Sequence, residues 1–104
     1  MFKVSILYPN KEGTHFNMDY YVRTHMPLVQ SRLNPMGLKG IGIERGVNGG
    51  SAGSPAPYHC MGHLLFDTLD AYQTGMKTHG MELAGDIRNF TNTAPVFQIS
   101  EIIS

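Results

Sequence analysis

The chain lacks most of the residues that usually betray a chemistry. It has one cysteine, no tryptophan, and only 15% charged residues among 104. The lone Cys60 excludes an intrachain disulfide and any multi-cysteine zinc site. Eight basic residues balance eight acidic ones. That argues against nucleic acid or an anionic membrane as the main partner, because both are held by a basic face. No apolar run approaches the roughly 20 residues of a membrane span. The first eight residues are too short and too strand-like for a secretory core, so the expected compartment is the reducing cytoplasm. Nucleophile-elbow, dinucleotide and phosphate-loop patterns are missing, and the Gly/Pro-rich residues 48–57 lack the Gly-Lys-Ser/Thr that a phosphate loop needs. No metal and no cofactor are expected.

What is present is hydrophobic periodicity. A chain of this length makes one domain, expected to span residues 1–104. Phe2, Val4, Ile6 and Tyr8 alternate with Lys3, Ser5 and Leu7, which predicts a strand. Asn17 is a helix N-cap with Asp19 in the first turn. Met18, Val22, Met26, Val29 and Leu33 then form an amphipathic stripe expected to touch the sheet. Tyr21, His25, Leu28 and Arg32 form a row at its edge, and Pro27 predicts a bend that tilts His25 inward. Asn34-Pro35-Met36-Gly37 stops the helix. Residues 38–47 and 58–66 alternate as strands, with 48–57 as a mobile connection outside any site. Asp67 or Thr68 caps a second helix to about residue 79. Gly80 interrupts it, a short helical piece follows, and residues 86–91 form a loop. Residues 96–103 predict a last strand with apolar side chains on both faces.

The order β-α-β-β-α-β, with short connections and right-handed crossovers, predicts a ferredoxin-like plait of the α+β class. Its four-stranded antiparallel sheet carries two helices on one face. The other sheet face wants cover, so a homodimer is expected.

Three groups could carry chemistry. His25 and Tyr21, at i and i+4, share a helical face, and a neutral imidazole there serves as a general base. Asp86 is the candidate that would orient it. His59 and His63 lie four apart on a strand and are expected on one face with Met61; as metal ligands they would need a third residue such as His25 or Glu44, and they lack the helical i, i+4 geometry a metal pair prefers. Tyr8, Tyr21, His25 and His63 are the candidate ligand contacts, and His25 with Asp86 the candidate catalytic pair.

The stretch Val4-Ser5-Ile6-Leu7-Tyr8-Pro9, then Phe16-Asn17-Met18-Asp19-Tyr20-Tyr21 leading into His25-Met26-Pro27-Leu28, resembles the EthD family. Gly85-Asp86-Ile87-Arg88-Asn89-Phe90-Thr91 and the ending Pro95-Val96-Phe97-Gln98-Ile99-Ser100-Glu101 are similar to the same family. The resemblance covers nearly everything except residues 48–57. It implies a dimeric α+β barrel and a place in ethyl tert-butyl ether degradation beside a cytochrome P450 monooxygenase system. Similar barrels include cofactor-free monooxygenases, isomerases, cyclases and haem-degrading enzymes. Three function classes follow. The first is an accessory protein binding a small apolar ligand in ether or aromatic catabolism. The second is a cofactor-free enzyme using His25 as base. The third is a haem-binding protein with His25 or His63 as ligand.

Overall fold

The computed structural model describes residues 1–104. Strand β1 (Phe2–Pro9) leads to a helical rod made of α1 (Met18–Tyr20), a π-helical turn (Tyr21–His25) and α2 (Met26–Leu33). Strands β2 (Leu38–Arg45) and β3 (Tyr58–Phe66) follow, then α3 (Leu69–Asp86) and β4 (Val96–Glu101). The sheet order is β2-β3-β1-β4 and every pair is antiparallel. This is the ferredoxin-like plait.

Local chemistry sets the helix ends. Asn17 and Thr68 both have extended backbones, and their side chains accept from Tyr20 N–H and Ala71 N–H. Each satisfies one of the amides that a helix start leaves orphaned. Gly37 ends the Asn34–Met36 3-10 turn at φ 102°, a left-handed conformation suited to glycine.

The first helix departs from the simple stripe. Met26 N–H donates to Tyr21 C=O, five residues back. Such a widened turn holds one extra residue. It also relieves the crowding that Pro27 would impose on an α-helical turn. The distortion expected at Pro27 therefore sits in the turn just before it. The extra residue rotates the upstream helix, so Tyr21 takes the inward place expected of Val22. Val22 is 46% exposed, whereas Tyr21, His25, Met26, Val29 and Leu33 are buried. His25 is not at the edge of the stripe; the π turn puts it in the buried face, 5% exposed.

The second helix also differs from expectation. It runs unbroken through His79, Gly80 and Gly85 to Asp86. Tertiary packing outweighs the roughly 1 kcal/mol that a helical glycine costs. Gly75 favours close helix contact, since a Cβ there would lie a tight 3.1 Å from Leu33 Cδ2. Asp86 is thus the last helical residue rather than part of a loop. β2 ends at Arg45 and β4 at Glu101, both two residues short of the expected strands. Residues 48–57 carry their own turn, closed by Gly49 N–H to Ser54 C=O.

Candidate functional site

Phe90 is the centre of the site's packing. It is fully buried and its ring lies against Tyr8, Phe16, Tyr20, Tyr21 and His25, the last at 4.6 Å. Backbone links fix it there. Asn17 N–H donates to Phe90 C=O, and Phe16 bridges Thr91. This clamp brings the end of α3 beside the π turn.

The functional groups meet at that junction. His25 Nδ1 lies 2.9 Å from Asp86 Oδ2. Tyr20 O–H donates to Asp86 Oδ1 at 2.7 Å, and Asn89 Nδ2 donates to the same oxygen at 2.9 Å. A carboxylate at a helix C-terminus is unfavourable against the helix dipole. Here the three donors offset that penalty. Burial works against the Asp86 charge, yet the bonds from Asn89, His25 and Tyr20 outweigh it and lower its pKa. Burial lowers the pKa of His25, with Asp86 pulling the other way. At neutral pH the pair is therefore a neutral imidazole beside a carboxylate. Nδ1–H donates to Asp86, and the lone pair is left on Nε2. No group of the chain hydrogen-bonds to Nε2.

His25 lines a cavity of about 60 Å³ between helices and sheet. Eleven of its 13 lining residues are hydrophobic, so His25 is the main polar group that a bound molecule would meet. Val4, Ile6 and Leu64 form its floor, and Val29, Met76 and Leu83 its helical walls. Gly80 lines it too. Phe97 from β4 stands at its rim, half exposed.

Of the candidate residues, the structure brings His25 and Tyr8 to the cavity, with Asp86 behind it on His25 Nδ1. Tyr8 lines the cavity and burial raises its pKa. Tyr21 lies beneath, stacked on His25 at 5.5 Å. Its hydroxyl is buried without a hydrogen-bond partner. Burial, followed by the neighbouring Tyr8 phenol, drives its pKa far up.

His63 is not brought there. It faces away from the helices, with Nε2 3.1 Å from Glu44 Oε1 and Nδ1 3.3 Å from Ser5 Oγ. His59 does not share that face either. β1 pairs Tyr8 with Cys60 but Pro9 with Tyr58, skipping His59. This β-bulge turns His59 toward Thr14 and stacks it on Phe16. No group of three or more His, Cys, Asp or Glu residues is placed to hold a metal ion. Cys60 is fully buried and burial pushes its thiol up to about 12, which makes it inert. Sequence reasoning missed Tyr20 and Asn89. Asn89 stands three residues after Asp86, a spacing at which side chains meet on a helical turn, and that signal was available. Nothing local links Tyr20 to Asp86, 66 residues away.

Comparison with known proteins accords with this architecture. The EthD domain family matches residues 15–94. No curated protein matches the chain. Among solved structures, an EthD-like protein from Ralstonia eutropha is 37% identical, with a TM-score of 0.93, covering 99% of this chain and 92% of that one. An ethyl tert-butyl ether (EthD) family protein from Bacillus halodurans is 22% identical, with a TM-score of 0.69 and 99% of each chain covered. A dimeric ferredoxin-like protein from an uncultured marine organism is 15% identical, with a TM-score of 0.64, covering 100% of this chain and 96% of that one. At such identity the last two likenesses speak for the fold alone. The match over most of the chain, together with the 37% identical structure, means that this chain belongs to the EthD family.

Proposed function

We propose that the cavity binds a small, largely apolar molecule and that His25 Nε2 takes a proton from it, with Asp86 holding the ring and stabilising the imidazolium that forms. One observation carries this reading. A buried His–Asp pair offers its only free nitrogen beside an otherwise apolar cavity. Low polarity strengthens the pair and favours the neutral base at rest. The space is small against the roughly 300 Å³ at the lower end of ordinary ligand pockets. It suits a compact molecule, or one that displaces Phe97. A haem macrocycle does not fit a cavity of this size.

A second reading is binding without turnover, as an accessory protein in ether or aromatic degradation beside a monooxygenase system. It is favoured by the lining itself. Besides His25, only the phenols of Tyr8 and Tyr72 could meet charge that develops on a substrate. Assembly as a homodimer of a single-domain chain in the cytoplasm belongs to the same proposal. It is motivated by the exposed Val96, Phe97 and Ile99 of β4. Light scattering that finds only monomer would contradict the dimer.

Cyclopentanone in heavy water separates the two readings, because its acidic C–H bonds exchange measurably by proton NMR. As a base, His25 should accelerate exchange by about 10²–10⁴-fold over the same concentration of free imidazole. His25→Ala should abolish the acceleration while circular dichroism stays native. Binding seen by chemical shift without exchange supports the accessory reading and sinks the catalytic one.

A further inference from the structure

A second cleft, of about 310 Å³, lies beyond the aromatic cluster and shares no lining residue with the His25 cavity. Phe16, packed on Tyr8 at 4.9 Å, stands between them. His59, which stacks on Phe16 beside the β-bulge, forms part of its wall. Asn10, Phe16, Arg45, Tyr58 and His59 line it.

The Thr14 hydroxyl donates to Lys11 C=O. Its oxygen must therefore accept from His59, whose Nε2 lies 2.9 Å away. In the neutral ring this fixes the proton on Nε2 and leaves Nδ1 as an acceptor. Nδ1 has no partner in the chain and is not among the sealed polar atoms. Arg45 is the only charged residue in the lining, and it makes no salt bridge. The adjacent carboxylate, Glu44, is bonded instead to His63. An unpaired guanidinium presents a fork that matches a carboxylate in two parallel hydrogen bonds. The half-buried rings of Phe16 and Tyr58 offer surface to a flat apolar body between the two polar ends.

We propose that this cleft binds a small aromatic hydroxy acid, its carboxylate on Arg45 and its hydroxyl donating to His59 Nδ1. The ring lies against Tyr58 and Phe16. This site works whether or not His25 is a base.

The test is a proton–nitrogen NMR titration of the whole protein with para-hydroxybenzoate, benzoate and phenol. Para-hydroxybenzoate should shift the amides of Arg45, Tyr58 and His59 saturably, with benzoate and phenol each binding about tenfold more weakly. Arg45→Gln, at an exposed position, should weaken para-hydroxybenzoate about tenfold and leave phenol unchanged. His59→Phe, checked for a native spectrum, should bring para-hydroxybenzoate down to the affinity of benzoate. Equal binding by wild type and Arg45→Gln overturns the proposal. So do shifts centred on Val4, Leu83 and Ile87 of the other cavity, or the absence of saturation at about 10 mM, beyond the millimolar range.

Discussion

Gly62→Ala is expected to destabilise the fold by about 3 kcal/mol, at the upper end of what overpacking a core costs. A Cβ at this position would collide with the Tyr21 hydroxyl oxygen, far closer than any native contact tolerates. Neither partner can retreat cheaply. Gly62 sits in the middle of β3, paired with both Ile6 and Ile43. Tyr21 is fully buried and wedged among Tyr8, Phe16, Phe90 and His25. Remedy should come from the other side of the contact. Removing the hydroxyl leaves the ring carbon Cζ, 3.3 Å from the same Cβ. Tyr21→Phe also deletes a buried oxygen with no partner, so alone it should be neutral or slightly stabilising. In the double variant, most of the loss should be recovered. Urea melts of the four proteins measure the coupling directly. A double variant as weak as Gly62→Ala alone would show that the clash is not the cause.

The second large effect is at Asp86. Asp86→Asn should slow His25-dependent exchange by about 10²–10⁴-fold. The shape of the site barely changes, but the hydrogen bonding reverses. A carboxylate only accepts, so it holds the proton on Nδ1 and keeps Nε2 free. An amide can donate to Nδ1, which would move the ring proton to Nε2 and point it at the substrate. The imidazolium formed during reaction would also lose its counter-charge. The pH dependence has a definite sign. Asp86 raises the His25 pKa by hydrogen bond and charge, against the larger lowering by burial. Its removal lowers that pKa further, so the acidic limb of the rate profile moves to lower pH while the plateau falls. A rate profile that keeps its plateau would mean that Asp86 orients nothing.

The plait was legible because its signals are periodic. The alternation of Phe2, Val4, Ile6 and Tyr8, and the caps Asn17 and Thr68, each report a local preference that the fold obeys. The failures lie where one inserted residue changes the phase. The π turn at Tyr21–His25 gave the inward place to Tyr21 rather than Val22. The bulge opposite Tyr8 and Pro9 separated His59 from His63, which strict alternation would join. Pro27 signalled that the helix is disturbed, but not which turn absorbs the disturbance. His25 was visible as a residue out of keeping with its helix, and Asp86 only as a carboxylate that could reach it. Their 2.9 Å approach depends on α3 running on through two glycines, which propensity argues against. Tyr20 was hidden for a related reason, since its partner is supplied by that same helix end.

A base at His25 requires that Nδ1, not Nε2, carry the ring proton. Long-range proton–nitrogen NMR of the whole protein at neutral pH reads this atom by atom. It should find Nδ1 protonated and Nε2 bare, a midpoint below the ordinary 6.5 of histidine, and a shift of Nε2 when cyclopentanone is added. A proton on Nε2, or an imidazolium persisting at neutral pH, would leave the cavity without a base and contradict the proposed chemistry.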